Sequence, residues 1–144
     1  MARVHKSIDI KAPVGKVFSY IENPELDPEW MTNMVEVRDV SGKGQGTRFN
    51  WTWNMAGMKL KGESLNVEDI PDKRLVVKTT GGIESTWTFN FEPHENATTL
   101  DLDIDYKIPV PVLGKLAEKL VQKRNEREAE TNLMNLKDRL ESKF

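Results

Sequence analysis

From Met34 to Ile108 the apolar residues of this chain recur at every second position, and only short turns interrupt them. A period of two puts alternate side chains on opposite faces of an extended strand, so this run predicts six consecutive strands joined by hairpins. Val35, Val37 and Val40 mark the first of them, and Phe49, Trp51 and Trp53 share one face of the next. Leu75 to Lys78 forms a later one, and Gly81-Gly82 turns it into a strand where Ile83, Ser85, Trp87, Phe89 and Phe91 have one parity. In the last, Leu100, Leu102, Ile104, Tyr106 and Ile108 alternate with Asp101, Asp103, Asp105 and Lys107, an acidic row expected on a solvated face. One strand departs from the pattern. Met58 and Leu60 have even parity whereas Leu65 and Val67 have odd, so a bulge near Gly62 is expected.

The flanks are different. Val4, Ile8 and Ile10 alternate with polar residues in a first strand, with Lys6 at an inward position. Val14, Val17, Phe18 and Ile21 follow helical spacing until Asn23-Pro24 stops them, and Pro24 and Pro28 bracket a second short turn or helix ending at Trp30-Met31. After Gly114 no Pro or Gly occurs, and Pro111 suits a first helical position, so a helix from Pro111 to Leu140 is expected. Its apolar stripe changes face. Leu113, Leu116, Ala117, Leu120 and Val121 cluster on one side, and Ala129, Leu133, Leu136 and Leu140 on nearly the opposite one. The polar middle, Gln122 to Glu128, is either a solvated surface or a segment facing an internal cavity or its mouth. Seven strands present more apolar surface than three helices can cover, which leaves room for a hollow on the concave side.

At 144 residues the chain is one domain, residues 1–144, able to bury about 70% of the surface it exposes when unfolded. It has no Cys, which excludes disulfides, thiolate catalysis and Cys-ligated metal. The N-terminal residues lack an apolar signal region and no run of about 18 apolar residues occurs, so export and stable membrane insertion are not expected and a cytoplasmic location is. A net charge of −2 with both signs interspersed gives no footprint for nucleic acid. Ser41 to Thr47 carries the glycines of a phosphate loop, but a strand follows where that loop needs a helix, so it is a hairpin turn. His5 has outward parity and His94 sits in a turn, too far apart for a shared metal, and no metal or other cofactor is expected.

Ile10 to Ile21, Asn23-Pro24 with Pro28-Glu29-Trp30, Gly44 to Thr47, Trp87 to Pro93, Thr98 to Leu100, and Asn132 to Lys137 occur in an order and spacing that resembles the START-like (SRPBCC) superfamily, in its polyketide cyclase/dehydrase branch. The resemblance covers nearly the whole chain. It implies an α+β helix-grip fold, β-α-α-β6-α, whose curved seven-stranded antiparallel sheet wraps around a long C-terminal helix. It also implies a cavity between sheet and helix where members bind lipids, sterols, quinones, plant hormones or polyketides, with catalysis in only some.

The residues themselves point to an apolar site. Phe49, Trp51, Trp53, Trp87 and Phe89 form an aromatic set on strand faces of shared parity, with Trp30 as a cap. Ser85, Tyr106 and Asn125 are the polar groups with inward-compatible positions. A hydrophobic small molecule bound by these nine residues is the first expectation, and a binding protein is favoured over an enzyme because no His, Cys or paired carboxylates reach the site. The alternatives are a polyketide aromatase/cyclase in which Tyr106 donates a proton with help from Ser85 or Asn125, and a protein-interaction or co-chaperone-like module.

Overall fold

The computed structural model describes residues 2–55, 57–107 and 118–142. In chain order the elements are β1 (Ala2–Ile10), α1 (Val14–Glu22), a 3₁₀ turn (Pro24–Leu26), α2 (Asp27–Trp30), β2 (Met34–Ser41), β3 (Arg48–Met55), β4 (Met58–Ile70), β5 (Arg74–Gly81), β6 (Glu84–His94), β7 (Ala97–Lys107) and α3 (Glu118–Glu141). The strands form one antiparallel sheet in the order β1-β7-β6-β5-β4-β3-β2. Five hairpins make the meander, while α1 and α2 carry the chain from β1 at one edge to β2 at the other. This is the α+β helix-grip architecture, with the C-terminal helix lying across the sheet.

Local chemistry sets the crossover. The Asn23 side chain accepts a hydrogen bond from the Glu25 amide, Pro24 opens the 3₁₀ turn, and Pro28 stands in the first turn of α2, where its missing N–H costs nothing. The Ser41–Thr47 segment is indeed a turn between strands, with Gly42, Gly44 and Gly46 all at positive φ and the Thr47 hydroxyl donating to the Gly44 carbonyl.

Two strand readings need correction. β3 pairs with β4 without a register break from Arg48↔Leu65 to Met55↔Met58, so no bulge lies at Gly62. Parity is kept along β4: Leu60, Ser64 and Asn66 are buried, Leu65 and Val67 are half-buried, and the one irregularity falls between Asn66 and Glu68 against β5. Gly62 is a glycine for another reason. A Cβ there would stand 2.3 Å from Cζ2 of Trp51 and 2.4 Å from the Thr80 carbonyl oxygen, so the Trp51 ring rests directly on the backbone. In β2, Val35 and Val40 are exposed and only Val37 is half-buried, because register shifts on both sides, with Asp39 at φ 57°, rotate the strand.

α3 makes two separate apolar contacts. Ala129, Leu133, Leu136 and Leu140 join the large core built with β1, α1, β6 and β7. Val121 joins a smaller cluster of Phe49, Trp51, Met55, Leu60 and Ile83, whereas Leu120, expected on the same side, is 72% exposed. The expected helical start and residues 108–117, with Leu113, Leu116 and Ala117, lie outside the described residues. The inward Lys6 is resolved by α3: its Nζ lies 2.8 Å from Glu130. Lys137 Nζ donates to the Asp9 carbonyl at 2.8 Å and Lys16 Nζ to the Leu140 carbonyl at 3.0 Å, so the last turns are tied to the start of the sheet.

The separation of α3 into two anchors predicts unequal costs. Leu136 is fully buried, and Leu136→Ala should lower stability by about 2–5 kcal/mol in urea unfolding, whereas Leu120→Ala should change it by less than about 0.5 kcal/mol. Similar losses at both positions would contradict this division. At the end of α1, a hydrogen bond to Asp69, with burial and the charges of Asp69 and Asp72, pushes the Glu22 carboxyl from its ordinary 4.5 up to about 7. Between these values the folded state holds a proton that the unfolded chain has released. The stabilisation is therefore complete below about 4.5 and lost as pH rises through about 7. Glu22→Gln should gain stability over the parent as pH is raised from 5 to 8; a difference independent of pH would refute the coupling.

Candidate functional site

Between the concave sheet face and α3 lies a cavity of about 120 Å³. It is slightly smaller than an engineered cavity of about 150 Å³ that holds benzene, so it has room for roughly one ring without rearrangement. Sheet parity builds most of the wall. Phe49, Trp51 and Trp53 enter from β3, Ser85, Trp87 and Phe89 from β6, Tyr106 from β7, Trp30 from α2 and Asn125 from α3, so all nine residues singled out in the sequence line this one space. Trp53 stands edge-on to Trp87 with centroids 6.2 Å apart, and Trp30 edge-on to Phe89 at 6.4 Å, so the aromatics pack in tilted pairs.

Polar atoms in the wall are ordered by chains of hydrogen bonds. Trp87 Nε1 donates to Ser85 Oγ at 3.2 Å, and Thr79 Oγ1 donates to the Ile83 carbonyl at 2.8 Å. Since that uses the only Thr79 proton, the 2.5 Å contact between Ser85 and Thr79 is donated by Ser85. The Ser85 proton is therefore engaged. Opposite Ser85 in the β6–β7 register stands Tyr106, whose Oη accepts from Asn125 Nδ2 at 3.1 Å. Its own proton has no acceptor among the described residues, and burial pushes the phenol up, which keeps it protonated at neutral pH.

Among the further lining residues, Asp27, Glu128 and Asn132 bring carboxyl and amide groups that were not found from the sequence. Asp27 is buried, and desolvation pushes its carboxyl well above the usual range. Asn132 Oδ1 accepts from both the backbone N–H and the hydroxyl of Thr32, at 3.0 and 3.2 Å, which fixes its amide orientation. Glu128 is raised by burial and accepts from Asn33 Nδ2. A signal for the helix pair was present: Asn125, Glu128, Ala129 and Asn132 follow i, i+3, i+4, i+7, so one face of the polar middle lines the cavity, while Lys123, Arg124, Glu126 and Arg127 are exposed. Asp27 gave none, because an acid opening a short helix reads as a favourable N-terminal charge.

Neither histidine lines the cavity. His94 Nε2 lies 2.9 Å from Thr99 Oγ1, and His5 belongs to the outer face of β1 and β7. There His5, Asp101 and Asp103 bring ligand-type atoms within 4.8 Å of one another, a grouping that the distance between the two histidines does not reveal. Arg3 Nη2 already pairs with Asp103 at 2.9 Å. Among the described residues no helix is long and apolar enough to cross a membrane.

Comparison with solved structures gives the same architecture. The protein TTHA0849 from Thermus thermophilus is 24% identical, covers 96% of each chain and superposes with a TM-score of 0.81. The Zhui aromatase/cyclase from Streptomyces sp. R1128 is 14% identical over 96% of this chain and 93% of its own, with a TM-score of 0.80. The Aha1 dimer protein from Colwellia psychrerythraea is 21% identical over 98% and 97%, with a TM-score of 0.64. At these identities the likeness is one of fold. Comparison with curated proteins gave no match. The family described as polyketide cyclase/dehydrase and lipid transport matches residues 1–141, and the chain, SRPBCC in superfamily and helix-grip in fold, belongs to it.

Proposed function

We propose that this protein binds an apolar small molecule, of the lipid, quinone or polyketide-like kind, in the cavity between the sheet and α3, and carries or presents it in the cytoplasm. The observation that supports this reading is the convergence of six aromatic side chains from three elements, with Tyr106 from a fourth, on a space that α3 spans without filling. Family membership and the aromatase/cyclase neighbour agree with a ligand-binding or cyclase role.

One feature favours a second reading, catalysis of a cyclase type. Among the described residues no acceptor takes the Tyr106 phenolic proton at the cavity surface, where Asn125 positions the hydroxyl, and a phenol so placed can protonate a carbonyl oxygen as a ring closes. Ser85 has no proton to contribute. Binding remains the primary reading because a positioned proton donor also orients a ligand that does not react.

An apolar one-ring ligand should quench or shift tryptophan emission saturably, and Trp53→Ala or Trp87→Ala should weaken that binding about ten-fold, as loss of an aromatic contact worth about 1.5 kcal/mol implies. Absence of saturable change across a lipophilic series, with both variants folded, would overturn the binding role.

A further inference from the structure

Resting on the binding role proposed above, we infer that the ligand carries a neutral carbonyl oxygen, held beside α2 by hydrogen bonds from the Asp27 carboxylic acid and the Asn132 amide, and that this pair makes the site reject anionic lipids. Asp27 is 7% exposed and lines the cavity, and its carboxyl has no hydrogen-bond partner among the described residues. Asn132 is 4% exposed, and with Oδ1 taken twice by Thr32 its Nδ2 must be the free end. Among the described residues the buried side-chain atoms that are both enclosed and partnerless are Trp30 Nε1, Trp51 Nε1 and Asn66 Oδ1. Asp27 and Asn132 Nδ2 are not among them, and both residues line the cavity. Thr32 lies two residues beyond α2, and Asn135 Nδ2 donates to the Trp30 carbonyl, so the Asn132 turn of α3 sits beside α2.

The charge pattern selects the ligand. No Lys, Arg or His occurs among the described lining residues, while Asp27 and Glu128 both do. A carboxylate placed there would lose its water, meet two acids and find no cation. A carbonyl needs only donors, and a neutral acid and an amide N–H are both donors. The ionisable groups around Asp27 leave it unpaired. Tyr20 of α1 donates to Glu29, Glu29 also pairs with Arg139 of α3, Glu36 and Arg38 of β2 pair with each other, and Glu128 is bonded to Asn33. Without a counter-cation the acid stays neutral as pH rises, until it ionises and its proton is lost as a donor.

The test uses isosteres that fit about one ring: acetophenone, α-methylstyrene, benzoate and benzylamine, each titrated into the protein and followed by the indole N–H signals of Trp30 and Trp51. Acetophenone should bind about five-fold or more tighter than α-methylstyrene, as one net hydrogen bond to a ketone implies, and benzoate should not bind. The ketone preference should fall as pH is raised and Asp27 ionises. Asp27→Asn, which keeps an N–H donor, should retain the preference but lose that pH dependence, and Asp27→Leu should shrink the preference to what the Asn132 amide alone supplies and likewise lose its pH dependence. Equal affinities in the parent protein, or tightest binding of benzoate or benzylamine, would overturn the carbonyl assignment while leaving the cavity as a binding site. Failure of all four to bind would overturn the binding role itself. If Asp27→Leu does not fold, the parent comparison and Asp27→Asn decide alone.

Discussion

The position of α3 relative to the sheet is the constraint on which the site depends. A helix with one continuous apolar stripe would settle along its whole length and fill the concave face. Here Ala129, Leu133, Leu136 and Leu140 seat one half in the main core, Val121 reaches the small cluster over β3 and β4, and Asn125 and Glu128 lie between. Polar side chains cannot be pressed into apolar wall without loss of their hydrogen bonds, so the middle of the helix stands off the aromatics. Lys6, Lys16 and Lys137, from β1 and α1 on one side and α3 on the other, fix the helix at the end where packing is complete.

The aromatic wall follows from the same economy of contacts. Trp51 can lie flat against β4 only because Gly62 has no side chain, and this leaves Trp53 and Trp87 half-buried and facing the hollow. Rings this large keep their shape when nothing covers one face, since each has only two side-chain torsions. The polar atoms are equally constrained: the Trp87–Ser85–Thr79–Ile83 chain consumes its donors in sequence, and Tyr106, Asn132 and Asp27 are left with theirs.

Much of this was legible in the chain. Alternation within β3, β6 and β7 fixes which side of each of these strands faces inward, and it was enough to place the aromatic set, Ser85 and Tyr106 on one wall. What it could not show were interactions between distant residues. Gly62 looked like a bulge because the Trp51 ring that requires it lies eleven positions earlier. Lys6 looked misplaced because its partner, Glu130, is on the last helix. Asp27 was invisible for a different reason: local pattern describes how an acid suits a helix start, and says nothing of how far the surrounding fold removes it from water.

Every step of the binding role requires the hollow under α3 to be a real, apolar and accessible space. Xenon under pressure enters dry apolar cavities without specific recognition, so a crystal of this protein exposed to it tests the claim independently of any ligand. One ordered xenon position is expected among Trp53, Trp87, Phe89 and Ala129. An interior with no xenon there, the two tryptophan rings closed against α3, would contradict it.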